Sequence, residues 1–381
     1  MREKIDSMRL LLLVSMSVSL AACPSPNAID GGDASDASSS IDGDVAAEPD
    51  TVSMPETMPD CGPPLASARP RDPHGPFDYP RDGTLRLNHI QAEGTHNSYH
   101  IRPPNFGPDW NYTHAPLDVQ LGDQGVRGLE LDTHYEPQCR RFSVYHLPLL
   151  DPLSTCHAFT ECLGIIRAWS DAHPWHHTLF IHIEPKDAFT AMQGADMIDE
   201  FEAEVLSVFP REMIVTPDEV RGSAATLRDA VTANGWPTLG ATRGRVLFYI
   251  DRTDNYRDAY THGGTNLDGR IAFIDSDETL PFAAVMVRNG SVSDAATIQR
   301  LVRANYLVRT MAEANDDAGW AGDRSGLDAA LMDGATIIST DFPAMQIGTT
   351  YFVEIPGGTP SRCNPLTAPS ECTASDIEHA M

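Results

Sequence analysis

Two carboxylates stand two residues apart in Leu129-Glu130-Leu131-Asp132, each beside an apolar neighbour. In an extended strand residues i and i+2 share a face. Two acids on one inward face repel and desolvate each other unless a cation or a proton lies between them. A third acid closes the run Ile181-His182-Ile183-Glu184, and the amide of Asn97 follows an earlier extended stretch. Three carboxylates and an amide oxygen form an all-oxygen set, which suits Ca²⁺ or Mg²⁺ better than zinc. The bland alternative is a surface-facing acidic pair, and Leu129 and Leu131 argue against it.

Histidines accompany these acids. His96 precedes Asn97, and His146 ends Val144-Tyr145-His146. A lone histidine is more often a structural hydrogen-bonder than a catalyst, but two beside a cation site read differently. Imidazole titrates near pH 6.5, so one ring can protonate a leaving oxygen while another stabilises developing charge. The cation would polarise a phosphoryl oxygen and help an attacking hydroxyl lose its proton. His182, two residues before Glu184, would orient a ligand from behind or act as a core hydrogen-bonder; His134 also lies near the carboxylates. His173, His176 and His177 fall before the third strand and are expected on an exposed loop.

Something must hold these groups at one place. Short β-branched runs recur at Leu87–Gln91, Val126–Asp132, Thr178–Glu184, Val246–Asp251, Ile271–Asp275, Ala284–Arg288, Tyr306–Thr310 and Thr336–Thr340. Helical patterns lie between several of them, at Cys162–Ala172, Ala191–Val208, Ala296–Ala304 and Leu327–Met332. Eight strands with helical crossovers predict an α/β fold, a (β/α)₈ TIM barrel, whose reactive groups gather at the C-terminal ends of the strands. An open doubly wound sheet is the rival, weakened because no GxGxxG or phosphate loop follows the first strand. Phe142–Tyr145 reads as an extra strand. The barrel is placed at 61–350 and an irregular, disulfide-containing tail at 351–381.

The first sixty residues read otherwise. Arg2, Lys4 and Arg9 precede a short apolar stretch from Leu10 to Leu20, and Leu20-Ala21-Ala22-Cys23 resembles a bacterial lipobox. Residues 1–23 are therefore expected to be a signal peptide with Cys23 lipidated, each buried acyl CH₂ adding about 0.8 kcal/mol of membrane affinity. Residues 24–60 hold nine acids and no Lys or Arg, and are expected to be a solvated, disordered tether. The net charge is −27; removing +1 for the signal and −9 for the tether leaves −19 on the body. That balance makes nucleic acid a poor partner. The protein is expected to be exported, anchored to a membrane of the bacterial envelope through its N-terminus, and monomeric.

Six cysteines remain beside Cys23, an even number suited to disulfides in an exported protein. Proximity favours Cys156–Cys162 and Cys363–Cys372, which leaves Cys61–Cys139. No CxxC pair suggests zinc.

The ordered set His96-Asn97-Ser98-Tyr99, Glu130-Leu131-Asp132, Tyr145-His146 and Glu184, with Tyr306-Leu307-Val308-Arg309-Thr310 and Ile338-Ser339-Thr340-Asp341-Phe342-Pro343, resembles the calcium-dependent phosphatidylinositol-specific phospholipase C family, especially its bacterial secreted branch. The resemblance runs from about Ile90 to Pro343. It implies that Asn97, Glu130, Asp132 and Glu184 hold Ca²⁺. It also implies that His96 stabilises a pentavalent phosphorane, that His146 protonates the diacylglycerol oxygen, and that Glu130 or Asp132 takes the proton of the inositol 2-hydroxyl, giving a cyclic inositol phosphate. Lys186 and Arg309 become candidate contacts to the phospholipid headgroup, with structural ion pairs as their alternative. The lysines that eukaryotic members carry on the fourth strand are missing, since Val246–Arg252 offers only Arg252, and their regulatory domains are not expected here. Glycerophosphodiester phosphodiesterases share Glu-x-Asp, a later His and Glu-x-Lys, but usually open with His-Arg where this chain has His96-Asn97. A surface lipoprotein that only binds is the alternative from another class.

Overall fold

The computed structural model describes residues 77–104, 110–189, 194–357 and 360–379. Cys23, the proposed tether and Cys61 lie outside them, and so does the expected Cys61–Cys139 bridge.

Ten strands form one sheet: β1 Ile90–Thr95, β2 Gly128–Glu136, β3 Arg141–Val144, β4 Leu179–Pro185, β5 Val246–Ile250, β6 Ala272–Ile274, β7 Val285–Val287, β8 Leu307–Met311, β9 Ile337–Thr340 and β10 Ser361–Cys363. Eight run parallel in the order β6-β5-β4-β2-β1-β9-β8-β7, so the first and last barrel strands in sequence, β1 and β9, are neighbours. This is the (β/α)₈ barrel, nearly closed: among the described residues β6 and β7 share no ladder of hydrogen bonds. β1, β5 and β9 are buried throughout and β2, β4 and β8 are buried except near their C-terminal ends, as expected for parallel strands covered on both faces. Helix Phe159–Ala172 sits outside, burying Phe159, Cys162, Leu163, Ile166 and Trp169 at three- and four-residue steps. No described helix is long and apolar enough to cross a membrane.

Two glycines close the wall between β1 and β2. A Cβ on Gly94 would stand 2.9 Å from the Ile337 side chain, and one on Gly128 2.8 Å from the same carbon. Ile337 fills the space these side chains would need, so larger residues are excluded there.

Two expectations need correcting. Leu87–His89 forms a single 3-10 turn, and the first strand begins at Ile90 and runs to Thr95. The polar Gln91-Ala92-Glu93-Gly94-Thr95 does not look like a core strand, yet every residue in it is buried because helices and the tail cover its outer face. The tail is also more regular than expected. Ser361–Cys363 pairs antiparallel with β1, Ala374–Ile377 is helical, and Cys363–Cys372 ties the strand to the residues just before that helix. Cys156–Cys162 is bonded as expected.

The tail is clamped to the base of the barrel. Arg127 and Glu378, both buried, pair at 2.5 Å, and Glu378 also accepts from the backbone N–H of His177 at 2.9 Å. His176 and His177 are fully buried here, which corrects the exposed-loop expectation: His177 Nδ1 donates to the Thr178 carbonyl at 2.9 Å, and Nε2 meets Ser361 Oγ at 2.6 Å.

Candidate active site

The alternation of β2 points Glu130 and Asp132 into the barrel mouth, and the parallel register sets Asp132 opposite Glu184 and Glu130 opposite His182 on β4. One oxygen from each of Glu130, Asp132 and Glu184 lies within 4.8 Å of the others. Asn97, the second residue after β1, has φ +45°, a left-handed conformation that asparagine tolerates. Its side chain is buried, donating from Nδ2 to the Tyr112 hydroxyl at 3.2 Å and accepting at Oδ1 from Tyr99 at 3.1 Å.

The donor set fits a hard cation. Both Asp132 oxygens are buried and accept no well-directed hydrogen bond, although the Lys186 ammonium stands 2.8 Å from Oδ2 and 2.7 Å from Glu184 Oε1. Burial, with Glu184 and Glu130 nearby, raises the Asp132 pKa to about 6 despite Lys186. Glu130 behaves oppositely. Burial works against its ionisation, but Arg309, His182 and His96 hold its pKa well below the ordinary value. Its Oε2 receives the Arg309 guanidinium and His182 Nδ1, the latter at 3.1 Å. Oε1, 3.9 Å from His96 Nε2, faces the pocket.

Each candidate catalytic histidine has a carboxylate behind it. His96 Nδ1 donates to Asp341 Oδ1 at 2.8 Å, and His146 Nδ1 to Asp151 Oδ2 at 2.9 Å. Burial lowers the His96 pKa, but Asp341 and Glu130 outweigh it and bring the value to about 9. Asp151 also accepts from His100 Nε2 at 2.9 Å, while His100 Nδ1 donates to the Tyr112 carbonyl at 3.1 Å. Tyr112 thus links the two dyads, its hydroxyl lying 3.5 Å from His96 Nδ1.

A pocket of about 520 Å³ opens beside this cluster, lined by His96, Glu130, Glu184, Arg309, Asn289 and Asp341 among others. Arg309 is buried, donating to Asn289, to Glu130 and to Ser339 Oγ at 3.2 Å. His182 stacks on Tyr249 and reaches Asp251 at 3.5 Å; burial opposes its protonation, yet Glu130 and Asp251 lift its pKa to about 9. Glu130, Asp132 and Glu184 thus come together with His96 beside them and with Lys186 and Arg309 anchored on their carboxylates, while Asn97 and His146 connect to this cluster through Tyr99, Tyr112 and Asp151. Sequence reasoning missed Asp151, His100, Tyr112 and Asp251. The first sits five residues beyond His146 across a turn, a signal available in principle. Asp341 was noticed only as part of a motif, without its partner His96.

The family model for calcium-dependent phosphoinositide phospholipase C matches residues 85–144 and 140–365. The chain belongs to that family and is a phosphoric diester hydrolase. Among solved structures, the calcium-dependent phosphatidylinositol-specific phospholipase C of Streptomyces antibioticus is similar with a TM-score of 0.52 at 20% identity, covering 68% of this chain and 95% of that one. A calcium-dependent phosphoinositol-specific phospholipase C from a Pseudomonas species, in a myo-inositol complex, gives 0.53 at 17% identity, covering 74% and 97%. At these identities the likeness speaks for the fold. No curated protein matches the sequence.

Proposed function

We propose that the protein cleaves phosphatidylinositol-like lipids into diacylglycerol and a cyclic inositol phosphate, and that Asn97, Glu130, Asp132 and Glu184 hold the calcium ion the family implies. The observation that supports this reading is the dyad His96–Asp341 beside three converging carboxylates, with a second dyad, His146–Asp151, connected to the first through His100 and Tyr112. When bound, the ion would supply positive charge to a phosphoryl oxygen and to the attacking hydroxyl. The rest falls to the chain. Asp341 fixes the His96 ring so that Nε2 donates toward the phosphoryl oxygens, where negative charge grows as the phosphorane forms. The inositol 2-hydroxyl attacks phosphorus and gives up its proton to Glu130 or Asp132. Glu130 Oε2 is already engaged by Arg309 and His182, which leaves Asp132 more lone pairs for that task. The bond from phosphorus to the glycerol oxygen breaks, and His146 delivers a proton from Nε2 to that oxygen. Arg309 and Lys186 neutralise the mouth's carboxylates within reach of the headgroup.

A lipid surface as the source of substrate is supported by the turn between His146 and Asp151, whose tip presents Leu149 and Leu150 at 86% and 62% exposure. Lipidation at Cys23, after a signal peptide at 1–23, would hold the enzyme at a membrane; the apolar stretch ending in Leu20-Ala21-Ala22-Cys23 supports this. Phosphorus NMR of vesicles containing phosphatidylinositol tests the chemistry. A cyclic phosphodiester is expected first, only with calcium, and EDTA should abolish it without a zinc requirement. Direct release of an acyclic monoester would overturn the internal nucleophile.

A further inference from the structure

In a (β/α)₈ barrel a helix normally covers the outer wall after each strand. Between β9 and β10 the described residues, 341–357 and 360, contain no helix. The irregular segment leaves a groove of about 340 Å³ against the outside of β1, lined by Glu93, Asp123, Gln124, Met345, Phe352 and Ile355 among others. His96 looks into the mouth, so alternation along β1 turns Gly94 inward and Glu93 outward, into this groove. Glu93 is only 4% exposed, and its Oε1 has no hydrogen-bond partner. Gln124 contributes a second buried oxygen, Oε1, also without a donor.

Glu378 shows how this fold treats a glutamate buried for structure: Arg127 meets it at 2.5 Å. Glu93 instead feels the carboxylates Glu313 and Glu354, which add to the effect of burial in raising its pKa well above the ordinary value. Asp123 adds further negative charge at the rim. Two donorless acceptors at the floor of an acidic groove with aliphatic and aromatic walls call for a group rich in N–H donors with an apolar stem. A divalent metal would want six or more oxygens, which these walls do not offer. An ammonium has three donors and no acceptor.

We propose that this groove is a second binding site, separate from the mouth, for a primary alkylammonium: the ammonium is accepted by Glu93 and Gln124, and its aliphatic stem lies along Phe352, Ile355 and Met345. Burial, with Glu313 and Glu354 nearby, favours the neutral acid at Glu93; a bound ammonium favours the carboxylate, so binding releases protons to solvent. Glu354 and Asp123 are the other titratable groups that line it, and Glu313, on the mouth side of the wall, stands near enough to act on Glu93.

Calorimetry on the full-length protein with calcium present tests this, using n-pentylamine, cadaverine and an acetyl-lysine-methylamide probe. Runs in two buffers of different ionisation enthalpy count the protons. Saturable one-to-one binding with net proton release is expected, and pentanol should not bind. Glu93→Gln should weaken binding at least tenfold and remove the proton release. Phe352→Ala, at a partly buried position on the groove wall, should weaken it several-fold while proton release persists, with an unchanged melting temperature as its folding control. The relative strength of the free amines and the lysine probe identifies whether a small amine or a protein's lysine is the natural source. No saturable binding by any amine, or binding unchanged by Glu93→Gln, overturns the proposal.

Discussion

The two ends of the barrel treat the same residue types in opposite ways. At the base, Arg127 pairs with Glu378 and Arg243 with Asp82 at 2.6 Å, and His176 and His177 are neutral. Burial pulls their pKa values down to about 3 and about 4. At the mouth His96 and His182 sit at about 9, because carboxylates outweigh the burial that would lower them. Asp132 keeps its oxygens without well-directed donors there. The base satisfies its polar groups internally and gains stability. The mouth leaves lone pairs and ring nitrogens facing a cavity, which costs stability and leaves chemistry available. A substitution at one end should therefore be felt as folding and at the other as turnover.

The widest separation is expected from His146→Ala. Loss of a general acid costs roughly 10²–10⁴-fold in rate, and kcat should fall within that range. The melting temperature and calcium affinity should stay near those of the parent, because the ring is only partly buried and is not one of the three clustered carboxylates. Activity within a few-fold of the parent would remove His146 from the mechanism. Glu378→Gln is its counterpart at the base. Leaving buried Arg127 without its partner should destabilise by about 3–5 kcal/mol in urea titrations, while kcat per folded molecule is unchanged. If the two variants exchanged phenotypes, the contrast between the ends would be false.

Asp151→Asn comes next. The aspartate touches no substrate in this reading; it positions the His146 ring, and misplacing a catalytic group by about 1 Å costs on the order of 10²-fold. A packing role alone would lower the melting temperature along with activity. A positioning role should lower kcat with KM and melting temperature near those of the parent, because the ring loses the carboxylate that holds its Nδ1 at 2.9 Å, and Asp151→Glu should recover part of the loss. A loss of stability that accounts for the lost activity, with no recovery in Asp151→Glu, would make Asp151 merely a packing residue.

Much of the mouth was legible in the sequence because strand ends are short-range patterns. Glu130-Leu131-Asp132 declares one face by its spacing, and parallel pairing carries Glu184 to the same height with no further information. What stayed hidden depends on contacts far apart in the chain. Asp341 lies 245 residues from His96, and Glu378 is 251 residues from Arg127. Nothing local announces which carboxylate will meet which base. The first strand was misplaced for a related reason. Its polar outer face is buried by the tail and by the irregular segment after β9, so hydrophobic periodicity pointed to Leu87–Gln91 when the strand is Ile90–Thr95. The tail looked irregular because its order comes from pairing with β1 and from Glu378 reaching the base, neither visible in a short window.

The smallest effect expected is thermodynamic, and it compares both ends in one experiment on calcium-free protein. His96 and His182 have folded pKa values raised from 6.5 to about 9. The stability they contribute is present in full below pH 6.5 and is lost as pH rises through 9. His176 and His177 are lowered from 6.5 to about 3 and about 4. Their contribution is present in full above pH 6.5 and is lost as pH falls through 6.5 toward those values. Urea titrations in EDTA should therefore show an alkaline decline from the mouth and an acid decline from the base. His96→Asn should flatten only the alkaline limb, and His177→Asn only the acid limb, since the groups lie at opposite ends and share no partner. Stability that instead climbs between pH 6.5 and 9 would mean that the mouth histidines are not charged by their carboxylates, and the contrast between the two ends would fail at its electrostatic root.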